Sequence, residues 1–142
     1  MARLRPARPA VAPHLKARHE AEYGITSFVF AARRGFAADR FFALLDGGLP
    51  EGLLRAKGFF WVERQPADIG FLSVAGGRAR REWVGTWAVA LREQGIVSDP
   101  EIPEAARSKW VEPHGDRRQE LVFIGTGLNE AAWRAKLEAC LV

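Results

Sequence analysis

The amino-acid sequence predicts an α+β fold, a two-layer sandwich in which a mainly antiparallel sheet of about four to five strands carries two helices on one face. Short apolar segments rich in Phe, Val and Ile are separated by glycine and proline, a pattern that is typical of strands. Two further segments carry apolar residues at helical spacing. The 142 residues are within the size of one domain, so one such sandwich accounts for the chain.

The predicted elements follow the order β-α-β-β-β-β-α. The first strand is apolar at most positions, which predicts cover on both faces. Turn residues alone separate the second, third and fourth strands, so these form an antiparallel meander. The predicted strands are residues 25–32, a segment within 53–63, and residues 69–74, 81–89 and 119–124. The predicted helices are residues 36–45, ended by Gly47-Gly48, and a last helix with Asn129 as its N-cap.

The last helix carries one apolar stripe. Trp133, Leu137, Cys140 and Leu141 fall at i, i+4, i+7 and i+8, so we expect this stripe to pack in the core. Cys140 is the single cysteine of the chain, which excludes an internal disulfide. Residues 92–117 are rich in proline and glycine and predict a mostly irregular segment with a short helix within 104–110.

The positive charge of the chain is concentrated at its start. The net charge is +4, and residues 1–18 contain five basic residues and no acidic one. Without that segment, 16 basic residues stand against 17 acidic ones. With Pro6, Pro9 and Pro13, residues 1–18 predict a flexible basic leader or linker, and residues 19–142 the folded domain. The leader could also act as an electrostatic arm that binds nucleic acid, although the near-neutral remainder makes a nucleic-acid partner an unfavoured prediction.

Motifs for catalysis or for nucleotide binding are missing from the sequence. The chain has no GxxxxGK[ST] phosphate loop, no HExxH, no CxxC and no G-x-S-x-G. We therefore predict no catalytic residue, no resident cofactor and no tight metal site. His14, His19 and His114 could form a weak accessory metal site, or could simply be solvated. Apolar runs of membrane-spanning length and a signal peptide are also missing, which predicts a cytoplasmic protein without a membrane partner.

Two segments combine charge with a buried strand. They read LRAKGFFW at 54–61 and GDRRQELVFIG at 115–125. Polar groups at a strand end can meet a partner, or can only pair with each other and with water, and the residues by themselves leave both readings open. The candidate contact residues are Arg55, Lys57, Asp116, Arg117, Arg118, Gln119 and Glu120.

The aromatic content raises one more alternative. An exposed aromatic surface beside Arg78, Arg80 and Arg81 could stack the bases of single-stranded nucleic acid. The competing interpretation places the tryptophans on core-facing sides of strands and helices.

The two charged segments resemble the signatures of the CobW C-terminal domain family. The resemblance extends to YGITSFVF at 23–30, to Ala75-Gly76-Gly77 and to the last helix, and it covers about residues 19–142. It implies a non-catalytic domain of a GTP-dependent metal chaperone that contacts the GTPase domain, a metalloprotein client, or both. GTP and zinc or cobalt are implied only for the full-length family, whose phosphate loop and cysteine motif lie in an N-terminal domain.

One position departs from the pattern of the family, which usually has Arg-Pro-Phe after the first strand. This chain has Arg34-Gly35-Phe36. Glycine lacks the fixed φ that proline provides at a helix start, so we expect a looser entry into the first helix.

Overall fold

The computed structural model describes residues 24–142. Within that range the chain forms five strands and four α-helices. In chain order they are β1 (Ile25–Ala32), α1 (Ala38–Gly47), β2 (Leu53–Phe60), β3 (Asp68–Ala75), β4 (Arg78–Thr86), α2 (Ala88–Glu93), α3 (Glu104–Arg107), β5 (Gln119–Thr126) and α4 (Glu130–Glu138). A 3₁₀ turn, Asp99–Glu101, lies between α2 and α3.

The five strands form one sheet in the order β1-β5-β2-β3-β4, and every neighbouring pair is antiparallel. Helices α1 and α4 contribute Phe41, Leu45, Trp133 and Leu137 to a single core cluster with the inward residues of the sheet. The predicted α+β sandwich is therefore confirmed. No helix among residues 24–142 is long and apolar enough to cross a membrane.

The sheet is buried on one face. Phe28 lies opposite Phe123, and Phe30 opposite Leu121, with all four side chains buried. Val29, between Phe28 and Phe30, points the other way and is 46% exposed. The prediction that the first strand is covered on both faces is therefore wrong, because an apolar run does not tell whether a second layer exists to cover it.

The fourth strand ends earlier than predicted. β4 stops at Thr86, and Ala88 and Val89, the last residues of the predicted strand, begin α2. Val89 and Ala90 are adjacent and both buried against Trp61 and Trp87 in a second, smaller core cluster. A strand would turn one of two adjacent side chains outward, whereas a helix can bury both. The alternating pattern up to Val89 is therefore a local coincidence that packing overrides.

The last helix begins where predicted but ends at Glu138, before Cys140 and Leu141. The Asn129 side chain accepts a hydrogen bond from the N–H of Ala132 at 3.0 Å, which is the expected N-cap. Trp133, Leu137 and Cys140 are buried. Burial also raises the pKa of the Cys140 thiol. Core packing of Cys140 is therefore confirmed.

Gly35 has a different role from the one expected at a helix start. Helix α1 begins at Ala38 with Ala37 as N-cap, so Gly35 lies before the helix. A Cβ at residue 35 would lie 2.9 Å from Cη2 of Trp61, closer than real Cβ contacts allow. The next residue, Phe36, is held between β2 and the following loop, since its N–H donates to Trp61 O and its carbonyl accepts from Glu63 N. The position therefore needs a small residue to make room for an indole, and the expected loosening of the helix start is wrong.

Candidate functional site

The face of the sheet opposite α1 and α4, which we call the open face, is covered at one end, where Ile69 packs into the small core cluster with Trp87 and α2. Val29, Val122 and Phe59 on this face are exposed among residues 24–142. Alternation along β2 shows which residues lie on it: Ala56 and Phe60 are buried, whereas Arg55, Lys57 and Phe59 are exposed. Two of the candidate contact residues, Arg55 and Lys57, therefore lie on the open face.

Strand register aligns the open face into three rows that cross the sheet from β1 to β4. The first row is Ser27, Ile124, Arg55, Ala75 and Arg78, the second is Val29, Val122, Lys57, Ser73 and Arg80, and the third is Ala31, Glu120, Phe59, Phe71 and Glu82. Each of the first two rows carries one cation in its middle, on β2, and one at its end, on β4. The third carries an edge-to-face pair, Phe59 and Phe71, with ring centroids 5.6 Å apart, between two glutamates.

The charged segment before β5 divides between the inside and the outside of the domain. Asp116 is buried, and its two carboxylate oxygens accept the N–H groups of Ala88 and Val89, each at 2.9 Å. These are orphan donors at the start of α2. Asp116 therefore caps a helix and is not available to a partner.

Arg117 is also turned inward. Its Nε donates to Pro66 O at 2.6 Å, and its Nη2 pairs with Glu93 at 3.0 Å. The guanidinium lies 5.5 Å from the ring centroid of Trp61. Arg117 thus ties α2 to the loop between β2 and β3.

Gln119 joins β5 to the ends of β1 and β2 from a fully buried position. Its Oε1 accepts the N–H of Trp61 at 3.0 Å, and its Nε2 donates to Trp61 O at 2.8 Å and to Arg34 O at 3.0 Å. The amide replaces strand hydrogen bonds at the point where β2 ends. Asp116, Arg117 and Gln119 were all candidate contact residues, and the structure corrects this: each is buried and bonded within the domain.

Arg118 and Glu120 lie on the open side and form an ion pair at 2.6 Å. The Arg118 guanidinium also lies 6.0 Å from the ring centroid of Phe59 and 5.8 Å from that of Trp87. Partial burial by itself raises the pKa of the Glu120 carboxyl. The hydrogen bond and charge of Arg118, with smaller contributions from Lys109 and Arg33, outweigh it, so the pKa lies below its ordinary value.

Four cations of the open face, which we call the basic quartet, stand apart from this network. They are Arg55, Lys57, Arg78 and Arg80. None of them has a carboxylate within 4.0 Å among residues 24–142. By contrast, Arg81 turns to the helix side, where it pairs with Asp46 at 2.8 Å and lies over the ring of Phe42.

The sequence named Arg78 and Arg80 only beside a possible nucleic-acid surface and not among the predicted protein-contact residues. Summing charge over the folded part hides them, because as many acids lie elsewhere on the domain. The signal that could have found them is local: Arg78 and Arg80 alternate with Ala79 at the start of a strand.

The histidines do not form a metal centre in the described part of the chain. His114 packs beside Trp61, with ring centroids 6.1 Å apart. No group of three or more His, Cys, Asp or Glu side chains comes together among residues 24–142. His14, His19 and the basic leader lie outside the described residues, so the nucleic-acid arm and the accessory metal site stay untested predictions.

Comparison with known proteins identifies relatives over almost the whole described range. The family model of the cobalamin synthesis protein cobW C-terminal domain matches residues 25–141. The chain is 36% identical over 124 residues to the zinc-regulated GTPase metalloprotein activator 1 of Dictyostelium discoideum, covering 85% of this chain and 26% of that protein. It is 31% identical over 114 residues to a zinc chaperone of Mycobacterium tuberculosis, covering 80% of this chain and 28% of that protein.

The fold also has a counterpart among solved structures. The Zn(II)-bound YjiA GTPase from E. coli superposes with a TM-score of 0.62 at 17% identity, covering 95% of this chain and 35% of that one. The chain thus spans about a quarter to a third of the length of these proteins.

Proposed function

The chain belongs to the family of the cobalamin synthesis protein cobW C-terminal domain, and we propose that it serves as a non-catalytic interaction domain of a GTP-dependent metal chaperone. Its task is to contact the GTPase domain, the metalloprotein client, or both. GTP hydrolysis and metal transfer are then carried out outside residues 24–142. Relatives named zinc-regulated GTPase metalloprotein activator 1 and zinc chaperone support zinc as the metal of the whole system.

The observation that carries the proposal is the division of the charged segment. Asp116, Arg117 and Gln119 use their polar groups inside the domain. Arg118 and Glu120 instead pair with each other on the side of the open face, where Arg55 and Lys57 also lie. One half of the segment builds the fold, and the other half forms an ion pair that borders the exposed part of the open face, with side chains 17% and 38% exposed. A rigid sheet is a suitable support for a recognition surface, because strand hydrogen bonds hold its side chains in register.

Apolar side chains lie on the same surface. Val29, Val122 and Phe59 are 46%, 37% and 36% exposed. Val29 and Val122 are cross-strand neighbours, so they form a continuous patch and are not scattered single residues. Apolar patches bordered by polar residues are typical of protein interfaces.

The test is to mix this chain with the GTPase domain of a CobW-type relative and to measure binding by calorimetry and GTP turnover in parallel. We expect binding, a change in turnover, or both. Lys57→Ala on the open face should weaken binding and reduce the change in turnover. Lys136→Ala, at an exposed position of α4, should leave both unchanged. If the wild-type chain neither binds nor alters turnover, with a metalloprotein client giving the same result, the proposal fails.

A further inference from the structure

We infer that the basic quartet and the adjacent apolar patch form a docking surface for a folded protein partner whose own surface carries acidic side chains beside an apolar patch. The inference rests on the proposed function and deepens it, because it assigns the contact to one face and states the chemistry of the partner.

The first step is the geometry of the quartet. Arg55 and Lys57 on β2 flank Ala75 and Ser73 of β3, and beyond these lie Arg78 and Arg80 of β4. Strands are ~4.8 Å apart, so the two pairs of cations are separated by about 10 Å at the backbone. Because the side chains between them are small, the four cations surround a shallow floor on which carboxylates can sit.

The second step is the charge that the quartet leaves unmatched. Glu120 on the same face is already paired with Arg118 and with Lys109. Glu82 therefore stands as the one further acid in the three rows, against four cations. The open face is thus net positive although the whole folded part is close to neutral, and an acidic surface complements it.

The third step is the apolar patch. Val29 and Val122 occupy the same row as Lys57, next to it across the sheet. The complementary partner surface therefore has apolar side chains facing β1 and β5, and acidic ones facing β2 to β4. Five strands ~4.8 Å apart and eight residues long at ~3.3 Å each make a face of roughly 600 Å². This is on the scale of the about 800 Å² that one partner contributes to a standard interface.

Other occupants fit less well. A nucleic acid would stack on the aromatic pair, but Glu120 and Glu82 flank Phe59 and Phe71 and would repel its phosphates. The chain's own residues 1–18 are basic, which is the same sign as the quartet. A second copy docked face to face would bring two net positive surfaces together.

The experiment compares two double variants that change the charge by the same amount. Lys57→Glu with Arg80→Glu reverses one row of the quartet, and Arg40→Glu with Lys136→Glu reverses two exposed cations of α1 and α4. Thermal unfolding checks that both remain folded, as expected for exposed positions. The probes are a CobW-type GTPase domain and, separately, a single-stranded oligonucleotide.

We expect the quartet variant to bind the GTPase domain about tenfold more weakly and with a shallower salt dependence, and the helix-side variant to bind like wild type. If wild type binds the GTPase domain and the quartet variant binds equally well, the inference is overturned while the proposed function stands. If wild type binds neither the GTPase domain nor a metalloprotein client and leaves GTP turnover unchanged, the proposed function falls and this inference with it. If the quartet variant loses only oligonucleotide binding, the occupant is a nucleic acid and the assignment of a protein partner is wrong.

Discussion

The carboxylate of Asp116 accepts the backbone N–H of Val89 at 2.9 Å, across 27 residues of chain. Its second oxygen accepts the N–H of Ala88 at the same distance. The two bonds connect the loop before β5 to the first turn of α2, and they bring Val89 into the small core with Trp61 and Trp87.

Replacing Asp116 with alanine should therefore lower stability. Two buried N–H groups lose their acceptor, which costs about 1–3 kcal/mol of the free energy of unfolding. In a small domain each kcal/mol lowers the Tm by roughly 4–8 °C. Asp116→Asn keeps one acceptor and should cost less. Differential scanning calorimetry gives the Tm of each variant, and we expect Asp116→Ala to have the lowest value. Asp39→Ala, which removes an exposed ion pair, is the control. Equal Tm values for D116A and D39A would contradict the capping role.

Gln119→Leu should be costly for a different reason. Leucine fills a similar volume, but the buried N–H of Trp61 loses its acceptor, and Arg34 O and Trp61 O lose a donor. We expect a loss of about 1–3 kcal/mol in the free energy of unfolding. Urea unfolding with an unchanged m-value would show it. The matched control is Gln94→Leu at an exposed position, which should change the free energy by a few tenths of a kcal/mol at most.

Gly35 and Trp61 should behave as a coupled pair. A Cβ at residue 35 meets the far ring of the indole at 2.9 Å, so Gly35→Ala should cost about 1–3 kcal/mol through overpacking. The phenyl ring of Trp61→Phe ends before those atoms, and the same G35A change should then cost less. A double-mutant cycle in urea measures this coupling, which we expect at about 1 kcal/mol. Additive single effects would show that the close contact does not constrain position 35.

Glu120 should contribute a component of stability that depends on pH. Its folded pKa is lowered by Arg118 against the effect of burial, so the ionised form is stabilised in the folded state. The contribution is present above about pH 4.3, the ordinary glutamate pKa, and is lost as the pH falls through the lowered folded value. A titration of the side-chain carboxyl by NMR should give a pKa below that of a solvated glutamate. Glu120→Gln should flatten the acid side of the stability profile, and an unchanged profile would refute the assignment.

Cys140 should react slowly with thiol reagents in the folded protein. It is buried in the turn that follows α4, its Sγ–H donates to Lys136 O at 3.4 Å, and burial raises its pKa. Both effects reduce the fraction of accessible thiolate. Labelling with a chromogenic disulfide should be slow in buffer and fast in denaturant. Rapid labelling under native conditions would mean that α4 opens readily from the sheet.

Local patterns determined the elements themselves. The stripe of Trp133, Leu137 and Cys140, the cap at Asn129 and the apolar core of β5 depend on neighbours a few residues away, so the sequence by itself determined them. The charged segments were also recognisable, together with the two readings that they allowed.

The tertiary structure alone decided which reading applies to which residue. Asp116 and Gln119 find their partners 27 and 58 residues away, so their burial depends on how distant segments meet. The basic quartet likewise exists only because β2, β3 and β4 are neighbours in the sheet. Strand order and register are set by hydrogen bonds between distant segments, and the exposed part of the open face is set by which segments pack on it. A local stretch of sequence therefore determines neither the strand pairing nor which part of the sheet stays exposed.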